Sequence, residues 1–232
     1  MIMSTLKEKL EDFKKQIIEN KINETQNEQK LQEIFKEIAP AFLYGGYIKV
    51  REDYRVYIRT VEFYFHSEKE NGIHDPIVYH RNNRYIEGAV PYFPLMSIHA
   101  HPSGFDITFE NPEEQYRASA LIREYEVWDN IKNCYMKYDV NIKKFRKRKD
   151  KESIKNSQST YLYDFLNGFG KDYVDWYDDD KSYQSNDILK QTHRKGVLES
   201  TNYINYEPMI IEGHKIQDKR QWSFTRQEDL VL

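Results

Sequence analysis

Apolar residues at the start of the chain recur at helical spacing. Leu6, Leu10, Phe13, Ile17 and Ile18 share one side of a 3.6-residue turn, with Lys and Glu on the others. Leu31, Ile34, Phe35 and Ile38 repeat the pattern after a polar stretch at 23–29, and Pro40 is expected to end it. Helical structure is therefore expected over 3–38, packing on a main domain or dimerising. From Phe42 the period changes. Gly45 and Gly46 mark a turn, and 47–50 and 56–65, rich in β-branched and aromatic residues, read as a hairpin. Residues 66–91 form a long polar connection with Gly72, Pro76 and Gly88. Two more strands are expected near 95–109, interrupted by Pro102 and Gly104, and near 117–127. Residues 128–165 mix polar and basic positions, with a loop at 153–160 and a helix beginning at 161–166. A short helix is expected at 187–195, then one or two strands over 208–224 with a turn near Gly213. No repeat or linker divides the chain. The sum is an α+β single domain at 38–232 with an N-terminal helical extension at 1–37.

Composition changes this picture in three places. Of 232 residues 39% are hydrophobic, a low figure offset by 15% aromatics, whose large area makes a packed core feasible. The net charge of -3 excludes a uniformly basic nucleic-acid protein. Yet 143–155 hold eight Lys or Arg against Asp150 and Glu152, with an acidic counterpart at Asp175 and Asp178, Asp179 and Asp180. Cys134 is the only cysteine, which rules out an intramolecular disulfide and a Cys-rich zinc site. The start carries no hydrophobic signal segment and no apolar run reaches membrane-spanning length, so a cytoplasmic setting without membrane contact is expected.

Several residues are candidates for chemistry. Glu62 sits among Val61, Phe63, Tyr64 and Phe65, and on a strand it shares a face with Tyr64. Neighbouring rings would desolvate that carboxylate and favour a general base; the alternative is an exposed Glu on the wet side of a strand. His99-Ala100-His101 has a known metal-ligand spacing, and its run into Pro102, Ser103 and Gly104 resembles the signature of JAMM-type zinc hydrolases. That signature's later Ser and Asp fall here on Phe109 and Pro112, which leaves histidines lining a groove as the alternative. Asn167-Gly168-Phe169-Gly170-Lys171 reads as an anion-holding turn or a helix C-cap. Lys143, Lys144, Arg146 and Lys147, with Phe145 among them, suit a nucleic-acid backbone or a solvated face.

In order along the chain, these pieces resemble the alkyladenine (3-methyladenine) DNA glycosylase family. The resemblance runs from about Ile38 to Phe224. It rests on Pro40-Ala41-Phe42-Leu43-Tyr44-Gly45, on Thr60-Val61-Glu62-Phe63-Tyr64 followed by Ser67-Glu68 and His74, and on Arg81-Asn82. It continues in Leu121-Ile122-Arg123, the turn at 166–171, Lys181-Ser182-Tyr183 with Asp187-Ile188-Leu189, and Gln221-Trp222-Ser223-Phe224. The resemblance implies a mixed, mostly antiparallel curved sheet flanked by helices. It implies base-excision repair by hydrolysis of the N-glycosidic bond of an alkylated or deaminated purine flipped out of duplex DNA, with no cofactor and no metal; the sequence itself makes no protein partner evident.

The roles it implies are Glu62 as general base and Arg123 orienting the carboxylate and its water. Tyr64, His74, Met96 and Asp106 would line the base pocket. His99 would wedge into the duplex, with Arg81, Asn82, Asn167, Gly168, Gly170, Lys171 and the 143–147 cations on DNA. Base flipping costs a few kcal/mol. Stacking on aromatic faces returns about 1–3 kcal/mol per base, and rings favour the positive charge of an alkylated purine. Met96, His99 and Asp106 depart from the family pattern. A catalytically inactive nucleic-acid-binding relative and a metal-dependent hydrolase using His99 and His101 therefore stay open.

Overall fold

In a computed structural model the described residues are 4–78, 80–82, 88–101, 104–157, 159–169, 174–179, 189–195, 210–212 and 215–227. Helix α1 (Leu6–Glu19) begins with a reciprocal cap, Thr5 and Glu8 each bonding the other's backbone N–H. Asp178 also accepts from the Leu6 N–H at 2.9 Å. A single 3-10 turn (Ile22–Glu24) leads to α2 (Glu28–Tyr44). The break near 23–29 matches the polar stretch, but α2 continues through Pro40 instead of ending there. The proline removes one backbone bond, while Ala41, Phe42 and Leu43 are buried and hold the last turn in place.

Strands β1 (Gly46–Val50) and β2 (Tyr54–Ser67) form the expected hairpin. The interrupted segment folds as β3 (Ile98–His101) and β4 (Gly104–Thr108), and β5 (Tyr116–Asp129) follows. Residues 128–165 hold a second hairpin that the polar sequence concealed, β6 (Cys134–Asp139) and β7 (Lys144–Lys147), before α3 (Ser159–Asn167). The acidic segment is strand β8 (Val174–Asp178). The helix expected at 187–195 is instead β9 (Leu189–Thr192), held in the sheet by β12 (Ser223–Arg226). A separate pair, β10 (Ile210–Glu212) and β11 (Lys215–Gln217), flanks the expected turn near Gly213, which lies outside the described residues.

The main sheet runs β3-β4-β5-β2-β1-β8, with β12 on β2, β9 outside β12, and the β6–β7 hairpin extending from β5. It is a curved half-barrel flanked by three helices in one compact domain. Every ladder among the described residues is antiparallel, with no parallel pairs. The N-terminal helices share the sheet's core: Phe35 stacks on Phe63 at 4.7 Å, and Phe13 meets Phe109 edge-on at 5.0 Å.

The centre of the sheet explains how two faces are assigned. Val61, Phe63, Phe65, Ala118, Ala120 and Ile122 are buried toward the helices. Alternation then sends Glu62, Tyr64, His66, Arg117, Ser119 and Leu121 to the opposite face. Thr60 pairs with Glu124 while Val61 pairs with Ile122, so Arg123 has no register partner; Arg59 is skipped likewise between Ile58 and Thr60. Each is a one-residue bulge, and such an insertion reverses which face the following residues present. Beyond it Val56, Ile58, Tyr125 and Val127 fill the core.

Candidate active site on the polar face of the sheet

Glu62 and Arg123 are 61 residues apart in sequence and meet because β2 and β5 pair along their whole length. Glu62 is buried. Its Oε2 accepts from Arg123 Nε at 2.5 Å and from the Tyr64 hydroxyl at 3.1 Å; its Oε1 accepts from the Lys195 backbone N–H at 2.7 Å. Arg123 Nη2 also donates to the Tyr64 hydroxyl at 3.2 Å, closing a triangle. A carboxylate has about four acceptor sites. Among the described residues three are used, which leaves one for a water. Burial and then the Glu62 charge push the Tyr64 phenol far above its ordinary range, so it stays protonated and donates. Burial works against the charge on Arg123, but Tyr64 and Glu62 outweigh it and raise its pKa. The triangle therefore fixes one oriented carboxylate in a place of low dielectric.

Behind Tyr64 lies a second charge network. Arg194 is fully buried and grips Asp75 through two bonds, Nη1 to Oδ2 at 2.7 Å and Nη2 to Oδ1 at 3.0 Å. It also donates to the Phe63 carbonyl, pairs with Asp218 at 3.4 Å, and lies 4.5 Å over the Tyr64 ring. Burial raises the Asp75 pKa, yet Arg194 and Arg220 bring it below its ordinary value. Residues 192–195 carry no periodic apolar signal, and sequence reading gave Arg194, Asp75 and the Lys195 amide no part in the site.

A third network extends the same face. Arg117, fully buried, pairs with Glu68 and Glu110 at 3.1 Å each and covers the Tyr92 ring at 3.5 Å. His80 pairs with Glu110. Asn82, expected on DNA, is bound here: its Oδ1 accepts from Arg117 at 3.0 Å and from the Val90 N–H at 2.9 Å. Arg81 donates to the Pro76 carbonyl at 3.4 Å.

The remaining candidates divide. Asp106 pairs with Leu121, as Glu62 does from the other side, so it lies on the polar face. It is buried, and His101 Nε2 is 3.2 Å from its Oδ2. The His99 ring is 6.3 Å from His101 and packs against Phe93 at 4.1 Å. Among the described residues no group of three His, Cys, Asp or Glu could hold a metal ion, so His99 and His101 gain no third ligand there. His74 is exposed, with its ring near the Lys69 carbonyl and His66. His66 is four residues, roughly 13 Å, along β2 from Glu62. Met96 has a left-handed backbone (φ 60°) and packs against the main core.

The turn after α3 lies at the far end of the sheet. The Phe169 amide returns to the Leu166 carbonyl, and its ring meets Tyr54 at 5.7 Å. Tyr54 is eight residues, roughly 25 Å, from Glu62. Asn167 ends α3 and Gly168 follows it in that turn, while Gly170 and Lys171 lie outside the described residues. Lys143, Lys144 and Lys147 are exposed on the β6–β7 hairpin. Arg146 is occupied by Asp139 at 3.0 Å and Glu152 at 2.7 Å. Lys143, Lys144 and Lys132 edge a cavity of about 340 Å³ floored by Tyr54, Tyr138, Phe145 and Phe165.

No helix among the described residues is long and apolar enough to cross a membrane. Compared with known proteins, the chain matches no family model, no curated protein and no solved structure.

Proposed function

We propose that the protein is a monofunctional DNA glycosylase of the alkyladenine type, releasing an alkylated or deaminated purine flipped out of duplex DNA. The single observation behind this reading is the Glu62–Tyr64–Arg123 triangle. It holds a buried carboxylate with one acceptor site to spare among the described residues, beside a ring. Glu62 takes a proton from water as the water attacks the sugar carbon. Its charge also stabilises the positive charge that grows on the sugar as the glycosidic bond loosens, the electrostatic logic of sugar hydrolysis. Arg123 and the Lys195 amide keep the carboxylate from turning, and Tyr64 presents a face to the base. Duplex DNA is the partner, and the exposed Lys143, Lys144 and Lys147 add phosphate contacts that carry no sequence information.

The test is base release from duplex oligonucleotides carrying 3-methyladenine, ethenoadenine or hypoxanthine. Release is expected for at least one, with a loss of about 10²–10⁴-fold in Glu62→Gln. Release unaffected by that change, or none from any lesion, removes the reading. A second reading, nucleic-acid binding without turnover, is favoured by one observation: the turn at 167–169 sits on Tyr54 and not beside Glu62. It predicts salt-dependent binding of DNA and no released base from any lesion.

A further inference from the structure

We propose that the cavity between the β6–β7 hairpin and α3 holds one unpaired nucleotide, its base on the aromatic floor and its phosphate on Lys143 and Lys144. This second site does not rest on the glycosylase reading. Tyr54, on its wall, lies roughly 25 Å along β2 from Glu62. Met136 and Phe165, which also line it, pack into the core between sheet and helices, so the cavity belongs to the side of the sheet that Glu62 faces away from.

The floor is built from rings that are only half-buried. Tyr138 and Phe145 are opposite each other in the hairpin, with centroids 5.2 Å apart. Phe165 of α3 stands 4.8 Å from Phe145 and 5.2 Å from Tyr54. Tyr161 stacks on Tyr138 at 3.7 Å and fixes the plane of that ring. Bases of any identity stack on such surfaces, because every base has a flat face.

The charges around the floor are sorted. Asp139 and Glu152 are taken by Arg146, Glu124 by Lys155, and Asp129 by Lys132. Lys143 and Lys144 are exposed at the hairpin turn and have no ion-pair partner among the described residues. Two uncommitted ammonium groups beside an aromatic floor suit a phosphate joined to a planar ring. An acidic peptide would meet the lysines and leave the rings without a flat partner. Asp164 is the one acid among the described lining residues, and it offers an acceptor to a base amino group. The volume, about 340 Å³, is near the lower end of the range of small-molecule sites, about 300–1,000 Å³. That admits one nucleotide and no folded partner.

A free nucleoside monophosphate and an unpaired residue of a strand share this chemistry, and the experiment separates them. The probe is 2-aminopurine, whose fluorescence falls when it stacks. It is titrated as the deoxynucleoside, as the deoxynucleoside monophosphate, and as one residue within a single-stranded oligothymidylate. The proteins are the full chain, its Lys143→Ala/Lys144→Ala variant and Phe145→Leu, with urea midpoints to certify each fold.

The monophosphate is expected to bind with quenching, about tenfold more tightly than the nucleoside. Removing both lysines should abolish that preference, since they meet only the phosphate. Phe145→Leu should weaken both ligands about tenfold, since it removes a stacking face. Tighter binding of the oligonucleotide than of the monophosphate assigns the site to a strand, and equal binding assigns it to the free nucleotide. An oligonucleotide held through the lysines without quenching overturns the proposal and leaves them as phosphate contacts alone. Quenching that neither variant alters overturns it too. Base release from lesion duplexes is measured on the same preparation. Release without quenching overturns this site alone, and quenching without release overturns the glycosylase reading alone.

Discussion

Arg123 Nε lies 2.5 Å from Glu62 Oε2, and Arg123 is the residue of β5 that pairs with nothing on β2. The bulge and the short ion pair belong together. A regular ladder would set Arg123 opposite Thr60, whose partner is instead Glu124, bonded to it at 2.6 Å. The inserted residue leaves the arginine without a ladder neighbour and within reach of the carboxylate. An ammonium on a flexible stem has no fork to engage Glu62 and Tyr64 together. Arg123→Lys is therefore expected to slow base release about 100-fold, the order of loss from a misplaced catalytic group. Thermal unfolding should move little, which a melting curve checks beside the single-turnover rate.

Arg194 should matter for stability more than any surface charge. Arg194→Met would leave Asp218 buried without its cation and Asp75 with only Arg220, at 3.7 Å. Removing one partner of such a set costs about 3–5 kcal/mol. Urea unfolding should show this as a lower midpoint with an unchanged slope.

Acid should weaken the fold through Glu68. Burial raises its pKa, but hydrogen bonding to His66 and to the Asn82 amide, with the His66 charge and Arg117, brings it from an ordinary 4.5 down to about 2. Its folded value is the lower one, so its contribution is full above the unfolded value and is lost as pH falls through the folded one. Asp75 shifts in the same direction. Stability should therefore fall between about pH 4.5 and 2. In Glu68→Gln the fall should be shallower by one proton's worth, read from urea midpoints across that range.

Neutralising Lys143, Lys144 and Lys147 together should weaken DNA binding equally for all sequences. The slope of log affinity against log salt should decrease by about one for each phosphate that no longer meets a cation. Titrations at several salt concentrations measure it.

Phe35→Ala tests whether the N-terminal helices are part of the core. Phe35 stacks on Phe63 and meets Trp222 edge-on at 5.2 Å. A loss of about 3–5 kcal/mol is expected, against little change for a helix resting on the surface. One cooperative transition in urea, seen by both circular dichroism and tryptophan fluorescence, checks that the unit is single.

Much of the fold was legible because the apolar period is plain where packing is dense. The two N-terminal helices, the first hairpin and β5 follow it. The β6–β7 hairpin and β8 were not legible. Their positions are polar or charged because they sit at the sheet's margin, and Lys144 and Lys147 face solvent. A four-residue strand such as β9 carries too little pattern to be told from a helix turn. It is a strand because β12 pairs with it. The extension of α2 past Pro40 depended on tertiary burial of 41–43, which propensity does not register.

At the site, the shared face of Glu62 and Tyr64 was legible from strand alternation, while Arg123 and Asp106 were named through the family resemblance and not from a local pattern. The signal for the bulges was also present in the chain. Apolar alternation runs Val56, Ile58 and then Val61, Phe63; it runs Ala120, Ile122 and then Tyr125, Val127. Each strand skips one beat, and the two skips fall opposite each other. What no local pattern carries is partnership across long separations, such as Arg194 with Asp75 or the Lys195 amide with Glu62.

Asp178, which caps the first turn of α1, has a meaning for how the chain is made. The capped amide and the capping carboxylate are 172 residues apart. During synthesis, at about 5–20 residues per second, α1 leaves the ribosome roughly ten to thirty seconds before its anchor exists. Its apolar stripe can already pack on α2 and β5 through Phe13, against Phe35 and Tyr116, so only the capping of its first turn waits for β8.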